Sequence, residues 1–279
     1  MSDNAAEPSP VAPLDRPRRF KGVPLRFLLP NLVTLLALCL GLTSIRFAIE
    51  GRIETAVLAI IAAAVLDALD GRIARALKGT SKFGAEFDSL ADFLDFGVAP
   101  ALVLYQFSLH EVKGMGWFAV MVFAVACSLR LARFNVAIDD PDKPAWMGNF
   151  FVGMPAPAGA IVGLLPVYFN LLGLEHQTKY VPFEIAFTLM VALLMVSRIP
   201  HYSGKSMGRV EREHIVPVTF GVVATILLLA TYPFEVLVGL TLLYLLAIPL
   251  SVRTYRRLAA STPAKTANEP NNRSPTPLD

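Results

Sequence analysis

Asp67, Asp70, Asp88 and Asp92, with Gly71, Gly84 and Arg75, fill one short stretch: D-A-L-D-G-R-I-A-R-A-L-K-G-T-S-K-F-G-A-E-F-D-S-L-A-D. Asp67 and Asp70 are three residues apart, and Gly71 and Arg75 follow on the same helix face. Asp88 and Asp92 are four apart and share a face of a second helix. The short polar link from Lys78 to Lys82 lets the two helices fold back, so that the two acidic pairs converge. Carboxylates so crowded need cations or protons to compensate them. Hard oxygen donors suit Mg2+, Mn2+ or Ca2+, and a pair of such ions is a clamp for in-line attack at phosphorus. Gly71 leaves a gap in the helix wall where a flat base or a diphosphate can approach the backbone. Arg75 offers a planar fork to phosphate oxygens. The chemistry implied is metal-assisted transfer at a phosphodiester or diphosphate.

The elements that must position these groups are membrane spans. The chain has 279 residues, 54% of them hydrophobic, which indicates a polytopic membrane protein. Eight spans are predicted: Pro30 to about Ile49, Glu54–Leu77, Leu90–Leu109, Gly116–Val136, a fifth ending near Gly173, Val181–Ser197, Ile215–Thr231 and Phe234–Val252. The fold expected is therefore an all-α membrane bundle, a core of six helices over residues 28–200 followed by a helical hairpin over 201–258. Residues 1–27 read as a disordered start and a basic interfacial segment, and 259–279 as a disordered tail. With both termini on the cytoplasmic side, the five inner segments hold five, four, three, four and five of the 25 Lys and Arg residues. The outer loops hold Arg52, Lys113 and Lys179, an asymmetry that puts the aspartates on the cytoplasmic face of an inner membrane. A net charge of +3 gives no reason to expect a nucleic-acid partner. Cys39 and Cys127 sit in apolar runs as packing residues, and the four histidines show no ligand spacing.

The pattern D-x2-D-G-x2-A-R-x8-G-x3-D-x3-D, filled here by Asp67, Asp70, Gly71, Ala74, Arg75, Gly84, Asp88 and Asp92, resembles the signature of the CDP-alcohol phosphotransferase family. The resemblance implies two divalent ions (Mg2+ or Mn2+) held by Asp67, Asp70 and Asp88, with Asp92 both among the metal-binding aspartates and the general base. It implies contacts from Gly71, Arg75 and Ser81 to the CDP moiety, and from Asn31 and Thr34 at the edge of that pocket. Asn31 could equally cap the first span. A homodimer is also implied.

Three further stretches, Asp88 to Pro100, Arg130-Leu-Ala-Arg-Phe-Asn135 and Gly153-Met-Pro-Ala-Pro157, resemble the branch of the family that transfers the phosphatidyl group of CDP-diacylglycerol to L-serine. Arg130 and Arg133, three residues apart, could offer a serine carboxylate or a lipid phosphate a cationic fork, with Asn135 beside them. They could also be flanking charges of a span. Asp95 could stand behind the aspartates, place an ammonium group, or be a solvated carboxylate at the mouth of the site. Gly153 to Pro157 reads as helix punctuation, and Arg198, Lys205 and Arg209 as flanking charge. The alternatives are a different acceptor alcohol, such as glycerol phosphate or inositol, and a cation-coupled transporter. The transporter would show inverted repeats and broken helices in both halves, whereas the acidic cluster is confined to one.

Overall fold

Long runs of Leu, Ala, Val and Ile with few polar interruptions must satisfy their own backbone groups in a bilayer, and the helix does so within one segment. A computed structural model describes residues 25–77, 79, 81–138, 150–202 and 215–261. The start of the chain, the loop holding Asp139 to Pro144, Lys205 and Arg209, and the tail past Ser261 lie outside the described residues.

Helix α1 (Leu25–Ile49) begins five residues ahead of the expected Pro30. Asn31 is therefore an interior helix position and not a cap. At Gly51, with φ of +75°, the chain turns back. The Arg52 N–H donates to Phe47 O at 2.8 Å and Gly51 N–H to Ala48 O at 3.0 Å, the paired bonds of a Schellman end. Helix α2 (Ile53–Ala76) returns along α1. Both helices carry buried alanines, Ala37 and Ala48 on α1 and Ala56, Ala59 and Ala63 on α2, small residues of the kind that let two backbones approach. Ser44 Oγ of α1 donates to Ala56 O of α2 at 2.8 Å.

Ser81 then caps α3 (Lys82–Phe93), accepting from the Gly84 N–H at 2.9 Å. The expected third span does not run on as plain α-helix: a π turn (Leu94–Val98) joins α3 to α4 (Ala99–Phe107). Asp95, Phe96 and Gly97 are all buried in that turn. After a 3-10 turn (Leu109–Val112) comes α5 (Lys113–Ile138). The fifth span is broken at Leu164 into α6 (Ala156–Gly163) and α7 (Leu165–Leu171), because Pro166 has no N–H to continue the ladder. Helix α8 (Val181–Val196) follows, then α9 (Ile215–Thr231) and α10 (Pro233–Ser261). Helix α10 continues nine residues past Val252: beyond the apolar run it is amphipathic, with Tyr255 edge-on to Phe150 at 5.4 Å.

A two-stranded ribbon interrupts the helical pattern. Strand β1 (Phe150–Val152) pairs antiparallel with β2 (Pro200–Tyr202), Phe151 opposite His201. It packs against α10 and ties the last helix to the core. Among the described residues, four helical stretches, Leu28–Ile49, Leu109–Ala137, Thr178–Val196 and Pro233–Ala260, are long and apolar enough to cross a membrane. Outward leucines such as Leu32, Leu36, Leu243 and Leu246 cover the surface, while Ile60, Phe96, Leu104, Phe123, Met154 and Met195 fill the centre. The protein is a polytopic membrane helical bundle.

Candidate active site

The Schellman turn and the Ser44–Ala56 bond fix α2 against α1, which sets where the end of α2 lies. Asp67 and Asp70 project from that end, and Asp88 comes from α3. One carboxylate oxygen from each lies within 4.8 Å of the other two. Asp92, one turn beyond Asp88, stands within hydrogen-bonding reach of Asp67. The expected convergence of the two acidic pairs is present, with three carboxylates in one group and Asp92 joined to it through Asp67. Arg130 of α5, buried, interacts electrostatically with Asp92 and Asp67. One guanidinium acting on two of the four carboxylates leaves excess negative charge among them. Three crowded hard-oxygen donors are the set a divalent cation takes, so the residues present fit such an ion.

Around the cluster each neighbour has a definite place. Thr34 Oγ1 lies 2.6 Å from Asp70 Oδ2 and 3.1 Å from Pro30 O; its single hydrogen goes to the nearer carboxylate. The two motif glycines do different work. A Cβ on Gly84 would come within 2.9 Å of Asn31 Oδ1 and 3.1 Å of Ser81 Oγ, so glycine lets the start of α3 sit against α1. A Cβ on Gly71 would meet only Arg75 Nη1, at 3.9 Å, so that stretch of α2 faces open space with the exposed Arg75 alongside.

Arg130 and Arg133 part company. Arg130 turns into the bundle, its guanidinium 5.1 Å from the centre of the Phe134 ring. Arg133 is exposed and donates to Val196 O at 2.6 Å, satisfying a carbonyl at the end of α8. Gly153 N–H, at φ of +80°, and Met154 N–H bond Ile199 O and Leu194 O there, so the Gly153 to Pro157 stretch is indeed punctuation. Asn135 donates to Ser89 Oγ at 2.9 Å, joining α5 to α3. Asp95 is not a solvated carboxylate at the mouth. It is 1% exposed, its Oδ1 has no partner, and a Cβ on Gly41 would run into it.

Two groupings were not anticipated from sequence. Ser108 donates to Glu184, His176 Nε2 lies 3.1 Å from Glu111 Oε1, and His176 Nδ1 lies 3.3 Å from Glu184 Oε1. A glutamate inside an apolar span was the available signal for it. An apolar cavity of about 500 Å3, walled by Phe107, Phe169, Phe183 and Phe187, opens beside it, far from the aspartates. The other grouping is Tyr244 of α10, whose hydroxyl lies 2.9 Å from His201 Nδ1 with the rings stacked. No periodicity in the sequence marks it.

The bundle and the cluster together define a membrane-embedded enzyme of the acid-cluster, divalent-metal kind. Residues 27–252 match the family model for CDP-alcohol phosphatidyltransferase, and the chain belongs to that family. A Mycobacterium leprae protein named CDP-diacylglycerol–serine O-phosphatidyltransferase is 42% identical over 250 residues, covering 88% of this chain and 81% of its own length. Proteins of the same name from Helicobacter pylori strain 26695 and Bacillus subtilis are 36% identical over 183 residues and 32% over 187, covering 65% and 66% of this chain and 74% and 96% of their own lengths.

Proposed function

We propose that this chain transfers the phosphatidyl group of CDP-diacylglycerol to the hydroxyl of L-serine, releasing phosphatidylserine and CMP. The observation that carries the reading is the convergence of Asp67, Asp70 and Asp88 within 4.8 Å beside Asp92 and Arg130. The names borne by the three relatives point to serine as acceptor.

Asp67, Asp70 and Asp88 would hold two Mg2+ or Mn2+ ions. When bound, such ions supply charge neutralisation at the diphosphate and make its phosphorus more electrophilic. The open face at Gly71 takes the cytidine and diphosphate, and Arg75 binds phosphate oxygens. Ser81, Asn31 and Thr34 form its border through the Gly84 approach and the bond to Asp70. Asp92 accepts the proton of the serine hydroxyl as its oxygen bonds to the phosphorus bearing diacylglycerol. The bond from that phosphorus to the bridging oxygen breaks, and CMP leaves with the electron pair. Arg130 offers its guanidinium to the serine carboxylate, while Asn135 holds α5 and α3 in register. Arg133 serves the end of α8.

The proposed setting is an inner membrane, with eight spans, a six-helix core, a C-terminal hairpin and both termini on the cytoplasmic side, as the Lys and Arg asymmetry supports. A homodimer follows from the family resemblance. Purified protein with Mg2+ or Mn2+ and CDP-diacylglycerol is expected to release CMP with serine. Release with glycerol 3-phosphate or inositol instead would overturn the acceptor, and no release with any alcohol would overturn the reaction.

A further inference from the structure

At the end of the bundle away from the aspartates, α7 and α8 are joined by the loop at 172–180, and both wall the cavity of about 500 Å3. Leu165 opens α7 and Phe187 lies two turns into α8, so the part of the cavity farthest from the loop is apolar. Phe183 and Phe187 stack there, one turn apart, with ring centres 6.5 Å from each other. Leu174 and Phe183 line the cavity and are exposed, so its mouth opens on the outer surface of the bundle. Helix α8 belongs to a stretch that can cross a membrane, and the surface around Phe183 is therefore one that lipid tails cover. Tyr180, also on the lining, stands at the start of that stretch, where tyrosines gather at the headgroup level.

Toward the loop the lining turns polar, with Asn170, Glu175, His176 and Gln177. Walls that are apolar toward the bilayer centre and polar at its surface follow the order of an amphiphile's tail and head. The volume is that of a small-molecule pocket, roughly 300–1,000 Å3, whereas a packed helix brings about 10 Å of width along its whole length. Charge selects the head. Glu184 accepts from Ser108 and faces His176, which reaches Glu111 as well. The Glu175 carboxylate is exposed at the rim, with no hydrogen bond or ion pair among the described residues. It complements an ammonium group and repels a headgroup that carries phosphate with no cation to offset it.

We propose that this cavity seats one acyl chain of a bilayer lipid whose headgroup carries a primary ammonium. The chain lies against Leu165, Phe169 and Phe187, and the ammonium meets Glu175. The site is in the leaflet away from the aspartates, separate from the proposed CDP-lipid site, and it stands whichever alcohol is the acceptor.

The test places the full chain in phosphatidylcholine vesicles with a trace of phosphatidylethanolamine bearing a photoreactive group in its acyl chain, or the matched phosphatidylglycerol. Labelled peptides are read by mass spectrometry. The ethanolamine probe should label segment 165–187 several-fold above the outward face of α10 around Leu243 and Leu246. The glycerol probe should label that segment about threefold less, the preference that one exposed ion pair gives. Glu175→Gln, a surface change, should abolish the difference between the probes. Leu165→Trp, which fills the deep end, should bring labelling down to the level of α10 while the thermal midpoint stays within a few degrees. Labelling of 165–187 no higher than that of α10, or undiminished in Leu165→Trp, would overturn the site. Equal labelling by the two probes would overturn the ammonium headgroup. Cross-links joining this segment in two copies of the chain would give the cavity to a second protomer and overturn the lipid.

Discussion

Glu184 and Asp88 are both carboxylates held within helices of one bundle, and their surroundings differ in kind. Glu184 accepts from Ser108 and faces His176, which also reaches Glu111. Each acid there has a donor, and the grouping clasps the 3-10 turn after α4 to the start of α8. Asp88 has acids for neighbours, Asp67 and Asp70 within 4.8 Å, and Arg130 is shared by Asp67 and Asp92. The two groupings lie at opposite ends: Ser108 is roughly 24 Å beyond Asp92 along the α3–α4 helical stretch, at about 1.5 Å per residue. A carboxylate cluster with its donors in place stabilises the fold. One left short of positive charge is kept at a cost, and that cost is met only when a ligand supplies the missing charge.

The comparison breaks most visibly at Asp92. Asp92→Asn should lower CMP release about a thousandfold while CDP-lipid binding persists, since a general base is lost and the aspartate group is not; turnover kinetics with a parallel binding assay would show it. Glu184→Gln should leave kcat unchanged within about twofold. Stability should move in opposite directions. In metal-free buffer Asp88→Asn relieves repulsion and should raise the thermal midpoint, whereas Glu184→Ala strands Ser108 and His176 and should cost about 1–3 kcal/mol. A fall in both midpoints would mean that the aspartates are a structural cluster like the other one.

The glycines give a finer contrast. Gly84→Ala must push Asn31 or Ser81 aside, an overpacking of about 1–3 kcal/mol, and should weaken both stability and turnover. Gly71→Ala meets nothing closer than 3.9 Å, so helix propensity should make it neutral or more stable by up to about 1 kcal/mol. Its KM for the CDP-lipid should nonetheless rise, because the methyl group fills the open face. Equal KM for Gly71→Ala and the unaltered protein would remove that face from the CDP site.

The sequence made the aspartate cluster legible because its spacing is local: i, i+3 and i, i+4 pairs on two helices joined by a short link can hardly avoid meeting. Apolar runs likewise disclosed most helix limits. What stayed hidden depended on partners distant in sequence. Arg133 and Arg130 look like a pair on one face, and only the position of the α8 end shows that Arg133 serves Val196. Asp95 could be assigned no place until the π turn and the approach of Gly41 showed it buried. Strand β1 is too short to carry an alternation, and α10 outlasts its apolar run because Tyr255 still finds Phe150.

The central claim is that the aspartate end, and not the glutamate end, was built to receive divalent metal. Mn2+ binding to the purified protein, counted by electron paramagnetic resonance, tests it most directly. Two bound ions are expected in the unaltered protein and in Glu184→Gln, and fewer, more weakly held, in Asp88→Asn. Undiminished binding in Asp88→Asn, or binding lost in Glu184→Gln, would contradict the account.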